Sequence, residues 1–178
     1  MPRSLRDEEF SVFVRDHRIE LLRSACLLTA GDTHLAEDLV QTALARLYVA
    51  WPRVRRSGTQ AAYARRIVVN AHIDEVRRPR WRRERSVAEP PDGPGPAPPG
   101  TLSGGVDAEA IRAALAALPS RMRAAVVLRH WMDLSVEETA SLLNCSEGTV
   151  KSQTAKATAR LRDLLAGLAA GTTAERNH

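Results

Sequence analysis

Four polar residues of one segment, Arg66, Asn70, Asp74 and Arg77, recur at i, i+4, i+8 and i+11. That spacing stacks them within roughly 80° of a helix surface. The segment around them is apolar, with Ile67, Val68, Val69, Ala71, Ile73 and Val76. A polar row on such a helix either satisfies itself, as an Arg–Asn–Asp network, or meets a ligand. A second set lies far along the chain: Thr149, Lys151, Ser152, Ala155, Lys156 and Arg160. Lys and Ser donate to phosphates or base edges, and alanine permits close approach to a groove and contact with thymine methyls. A third set, Glu37, Asp38, Gln41 and Thr42, belongs to the polar side of an amphipathic segment. Its plainer reading is an ordinary solvated face, and the other is a docking face.

No catalytic constellation accompanies these sets. Cys26, Cys145 and the five His show no metal-ligand spacing, and no Gly-rich phosphate loop is present. No cofactor is expected, and no enzymatic activity. Residues 1–10 lack an apolar stretch and no run is long enough to span a bilayer, so the reading is a cytoplasmic protein with reduced thiols.

The charge is segregated. Across 178 residues the net charge is +5, but residues 53–85 hold eleven Arg against three acids, while 1–52 and 86–178 are net −2 and −1. A concentrated Arg block suits a polyanion, because guanidinium matches phosphate in bidentate fashion. The plainer reading is a solvated basic surface. An anionic membrane surface fits poorly, since apolar residues do not alternate with Arg77–Arg85.

Helices must position all three sets. Apolar residues recur every three or four positions and no hairpin pattern appears, so the expected fold is all-α. Six of the ten prolines fall between Pro90 and Pro99. Residues 86–106 therefore read as a Pro/Gly-rich linker between a helical domain at 5–85 and a second at 107–168. The first domain is expected to hold helices at 7–29, 33–51 and 60–78, with a short turn near 53–57. Asp32 or Thr33 caps the second helix and Pro52 stops it. Its buried side is Leu39, Val40, Ala43, Leu44, Leu47, Ala50 and Trp51. In the second domain a helix at 107–118 precedes another restarted at Pro119. Ser135 and Glu138 then form a capping box for a helix at 136–143. Asn144 turns the chain and Ser146 caps a helix at 147–165, with a frayed tail from Gly171. Ala140, Asn144 and Val150 supply the small, turn and apolar residues of a helix-turn-helix. A helical hairpin that binds protein has the same outline.

The strings Ala36-Glu37-Asp38-Leu39-Val40-Gln41 and Glu147-Gly148-Thr149-Val150-Lys151-Ser152, in this order and separated by Tyr63–Arg78 and the Pro-rich segment, resemble the extracytoplasmic-function group of bacterial sigma factors. RRIVVN (65–70), WRRER (81–85) and Gln153 are similar to its actinobacterial SigE-like branch, whereas the broader group more often has Arg where Val69 and Gln153 stand. The resemblance implies a promoter-specificity subunit with a sigma-2-like and a sigma-4-like domain. Glu37, Asp38, Gln41 and Thr42 would meet the clamp of the largest subunit of core RNA polymerase. Arg55 and Arg56 of the 53–60 loop, with Arg66, Asn70, Asp74 and Arg77, would open and hold the −10 element. Thr149, Lys151, Ser152, Ala155, Lys156 and Arg160 would read the −35 element, while the second-largest subunit offers its flap. An anti-sigma factor is a further partner of the family, although no segment here identifies one. An extended 21-residue linker reaches about 70 Å, which matches two promoter elements two DNA turns apart at ~34–36 Å per turn. The rival reading is a stand-alone helix-turn-helix regulator that binds duplex DNA without polymerase.

Overall fold

The chain divides into two units, Met1–Thr101 and Leu102–His178. The computed structural model describes the backbone of residues 3–77 and 106–175, and the side chains of 5–77 and 108–167. All described elements are helical, as the periodicity requires. The Arg-rich run beyond Arg77 and the expected linker lie outside the described residues, except Val106, which opens a helix.

In the first unit, α1 is Arg3–Leu28, α2 is Thr33–Val54 and α3 is Gln60–Arg77. The core forms where α2 packs against both α1 and α3. Ala36, Leu39, Val40, Ala43, Leu44, Leu47, Ala50 and Trp51 of α2 are buried, as its apolar periodicity demands. Facing them are Leu21, Leu22, Ala25 and Leu28 of α1, and Ala64, Ile67, Val68 and Val69 of α3. Phe10 of α1 packs edge-on to Tyr48 and Trp51, at 5.1 and 5.2 Å between ring centroids.

Helix ends show what the backbone needs. Asp32 caps α2 by accepting the Leu35 N–H at 2.9 Å. Pro52 does not stop α2, contrary to the sequence reading; it lies inside the last turn. Proline removes one bond, its own to the carbonyl four residues back. Here the ring is exposed, the buried Trp51 beside it holds the turn, and Arg55 N–H still reaches the Trp51 carbonyl at 3.0 Å. At the end of α1, Gly31 N–H bonds the Cys26 carbonyl at 2.8 Å. This closure puts Ala30 in the left-handed region at φ 60, where its Cβ is strained.

In the second unit, α4 is Val106–Ala116, α5 is Ser120–Val126, α6 is Val136–Leu143 and α7 is Glu147–Glu175. Arg123 Nη1 donates to the carbonyls of Leu115 and Leu118, at 3.1 and 3.4 Å, and so closes the end of α4. Its partial burial lowers the guanidinium pKa, yet an arginine stays charged. From α5 the chain passes directly into one π turn, Val127–Trp131, which no sequence signal announced. Met132 N–H bonds the Val127 carbonyl and Leu134 N–H the Leu128 carbonyl, each at 3.0 Å. Asp133 between them adopts φ 52. The capping box forms as read: Glu138 N–H to Ser135 Oγ at 3.0 Å, and Ser135 N–H to Glu138 Oε2 at 2.7 Å. Asn144 takes the left-handed conformation at φ 50 and ψ 56. The tail from Gly171 does not fray as expected, because α7 runs on to Glu175. Ala166, Ala169 and Ala170 have the helix propensity to carry it past Gly167 and Gly171.

Two stability predictions follow from these ends. Ala30→Gly relieves the left-handed strain and raises stability in urea unfolding by about 1 kcal/mol. The second concerns Glu138, whose carboxyl is held below its ordinary pKa by the Ser135 backbone N–H and then by the Ser135 hydroxyl. A carboxyl depressed on folding contributes stability that is present above its unfolded pKa and lost as pH falls through the lowered folded one. Glu138→Gln keeps an acceptor but cannot titrate, so thermal unfolding across the acid range will show a flatter pH dependence than the wild type.

Candidate nucleic-acid interface

The outer side of α2 carries the first set. Glu37, Asp38 and Gln41 are exposed and Thr42 is half-buried. Arg46 continues the row, and so does Val49, a valine left 72% exposed. The opposite side of the same helix is filled by its eight buried residues, so packing alone turns these polar groups outward.

On α3 the polar row is exposed in full: Arg66, Asn70, Asp74 and Arg77. Among the described residues no hydrogen bond or ion pair joins these four. The self-satisfied network is therefore not formed, and their donors face solvent. Tyr63, seven positions before Asn70 and 39% exposed, brings a ring to the same row. Sequence reading passed over it, though its spacing and the scarcity of aromatics were both visible. Val69 is 1% exposed. It is a core residue, so the departure from Arg there removes nothing from this surface.

Between α2 and α3 runs the loop that holds Arg55 and Arg56. Gly58 adopts φ 70, a conformation glycine takes without strain. Ser57 Oγ accepts the Thr59 N–H at 3.2 Å and lies 2.6 Å from the Thr59 hydroxyl, so the turn is tied within itself. Arg56 is exposed. Arg55 differs: Nη1 donates to both Glu9 carboxylate oxygens at 3.0 Å. Arg56 and the α3 row are thus left exposed, while the Arg55 head is turned toward α1.

In the second unit α6 and α7 form the helix-turn-helix. Cys145 N–H bonds the Ala140 carbonyl at 3.1 Å, which closes the turn through Asn144. Ser146 Oγ accepts the Thr149 N–H at 3.1 Å and caps α7. Ala140, Val150 and Ala157 are buried in the crossing; Leu161 and Leu164, read as buried, are half-buried. Thr149, Lys151, Ser152, Ala155, Lys156 and Arg160 are all exposed. Lys151 stands 3.8 Å from Glu147, with both side chains more than half exposed. So loose a pair contributes little and leaves the ammonium available to another anion. Gln153 is half-buried, so it stands at the edge of this face. Lys151 and Ala155 of this face, with Arg129, His130, Val136 and Arg162, also line a groove of about 450 Å³. Among the described residues no group of three or more His, Cys, Asp or Glu is placed to hold a metal, and no helix is long and apolar enough to cross a membrane. Both cysteines are free thiols.

Comparison with known proteins matches both units. Residues 13–83 match the family model Sigma-70 region 2, and residues 108–161 match Sigma-70, region 4. The chain is 40% identical over 161 residues to the RNA polymerase sigma-E factor of Streptomyces coelicolor, covering 88% of this chain and 86% of that protein. It is 34% identical over 163 residues to the ECF RNA polymerase sigma factor SigM of Mycobacterium tuberculosis, covering 91% and 80%. Among solved structures it resembles the sigma factor RpoE of Bartonella quintana, crystallised in complex with the anti-sigma factor NepR. That likeness has a TM-score of 0.64 at 26% identity and covers 86% of this chain and 96% of the other. With both regions matched in order, and relatives aligned over most of their length, the chain belongs to the extracytoplasmic-function group of the sigma-70 family of RNA polymerase sigma factors.

Proposed function

We propose that this chain binds core RNA polymerase, carries it to particular promoters and helps to open the DNA there. One observation carries the reading: three exposed polar faces, on α2, α3 and α7, are each backed by an apolar face that fixes its direction. Glu37, Asp38, Gln41 and Thr42 on α2 are the surface for the clamp of the largest subunit. Arg56, Arg66, Asn70, Asp74 and Arg77 are the surface for the −10 element, with Tyr63 as a stacking platform for an unpaired base. Thr149, Lys151, Ser152, Ala155, Lys156 and Arg160 are the surface for the −35 element, and the flap of the second-largest subunit meets the same domain. In this reading the domains are 5–85 and 107–168, and 86–106 is the linker between them.

The chemistry of RNA synthesis lies with the core enzyme, so this chain acts as a non-enzymatic subunit at work in the cytoplasm. Its solved relative from Bartonella quintana is held by an anti-sigma factor, and regulation of that kind suits this chain. A stand-alone helix-turn-helix regulator accounts for the second unit only. The match of residues 13–83 to Sigma-70 region 2 gives the first unit a counterpart that such a regulator lacks.

The direct test is transcription from promoter DNA by core polymerase with and without the purified chain. Initiation that starts no more specifically with the chain than without it refutes the reading. Within that assay, Asp38→Arg is expected to weaken competition for core by at least about tenfold while helicity is kept, since it reverses charge at the centre of a docking face. Lys151→Ala and Lys156→Ala are each expected to lower the slope of log affinity against log salt by about one unit on −35 duplex. At least one will also alter which −35 sequences a randomised library returns, because both project from the first turns of α7. Identical preferences in wild type and both variants would leave base reading to Thr149, Ser152 and Ala155.

A further inference from the structure

The loop between α2 and α3 is fastened to the protein through Arg55. Its Nη1 donates to both carboxylate oxygens of Glu9 at 3.0 Å, and its carbonyl accepts from Gln60 Nε2. One residue thus ties the start of the loop both to α1 and to the first residue of α3. The Arg55 side chain is only 17% exposed and the Glu9 side chain 37%. The turn of α1 that carries Glu9 is held firmly against α2. In the same stretch of α1 the Arg6 guanidinium lies 4.1 Å over the Tyr48 ring, the Tyr48 hydroxyl donates to Asp7 Oδ1 at 2.5 Å, and Phe10 packs on Trp51. For Arg55 to take a phosphate it would have to abandon a partly buried carboxylate, and an ion pair broken in such a place leaves an uncompensated charge.

We propose that Glu9 is a positioning residue for promoter reading: it holds Arg55, and through Arg55 the loop at 55–60, so that Arg56 and the row from Tyr63 to Arg77 meet the −10 strand in one fixed arrangement. Arg55 acts here as the loop's anchor and does not touch DNA. This rests on the −10 role proposed above for α3. An acidic residue of the first helix then governs selectivity at a nucleic-acid surface that it does not share.

The test uses holoenzyme assembled from core polymerase and the full chain, transcribing a library randomised at the −10 element. Glu9→Gln and Arg55→Ala are each expected to narrow the ratio between best and worst −10 sequences by about fivefold, as loss of one charge-assisted contact would. Competition for core is expected to stay at the wild-type level, because the exposed face of α2 is unaltered. The exchanged pair, Glu9→Arg with Arg55→Glu, is expected to recover selectivity. If Arg55 contacts DNA, the exchange sets a carboxylate against phosphate and does worse than Arg55→Ala, which overturns the proposal. A second reading does not depend on the exchanged protein folding: Arg55→Ala is expected to leave the salt slope for −10 DNA unchanged, whereas Arg56→Ala lowers it by about one unit. A lowered slope with Arg55→Ala, or unchanged selectivity in Glu9→Gln, refutes the positioning role. A wild-type holoenzyme without −10 preference would instead refute the α3 assignment on which it rests.

Discussion

The first unit depends on the one-sided burial of α2. Eight of its residues point into the space between α1 and α3, and Ala36, Ala43 and Leu47 are wholly removed from water. Burial of a leucine-sized side chain contributes roughly 1.5–3 kcal/mol, against a net stability of about 5–15 kcal/mol for a typical domain. Loss of two of these contacts would consume about 3–6 kcal/mol of that stability, and rotation of the helix about its axis would lose more than two. Its outer side consequently has a fixed direction and no structural duty. Glu37, Asp38, Gln41 and the exposed Val49 occupy positions that packing does not constrain, which leaves their chemistry to a partner.

The second unit solves a different problem, because its helices are short. A helix of eight residues such as α6 leaves half of its backbone polar groups without a partner inside the helix. Ser135 and Glu138 satisfy the donors at the start, and the left-handed turn at Asn144 satisfies acceptors at the finish. Arg123 does the same for α4 from a neighbouring helix. The orientation of α7 rests on these caps as much as on Val150 and Ala157, since the turn between α6 and α7 is closed by them. Capping and apolar seam together turn Lys151, Ser152 and Lys156 outward.

Those features are local, and so they are legible in a sequence. Ser135 with Glu138, Asn144, Ser146 and Asp32 do what their residue types favour a few positions away, and the buried side of α2 follows from helical periodicity. What escaped the reading depends on distant partners or on competition between rules. Pro52 has a strong local preference to end a helix, overridden where Trp51 is anchored in the core. The π turn at Val127–Trp131 leaves no mark in residue types. Val69, where the family more often has Arg, is interior, which the residue type alone allows but does not fix. Nothing near Arg55 in the chain points to Glu9, 46 residues earlier.

The basic block shows what this costs an argument from charge alone. Counting arginines treats each guanidinium as available to a polyanion. In the described part of the block, Arg55 is held by Glu9 and Arg65 by Glu20 at 2.8 Å, both carboxylates coming from α1. Arg53, Arg56, Arg66 and Arg77 are exposed and form no ion pair among the described residues. The acids that make the first segment net negative are therefore partly structural counter-charges to the block that follows. They divide its arginines into two groups, one that binds the helices to each other and one that faces outward. Among the described arginines the outward group is smaller than their number suggests: Arg53 lies in the last turn of α2, Arg56 lies on the loop, and Arg66 and Arg77 lie on one face of α3. For a single strand of nucleic acid, alignment of that kind matters more than total charge, because only groups in register with successive phosphates and bases can act together.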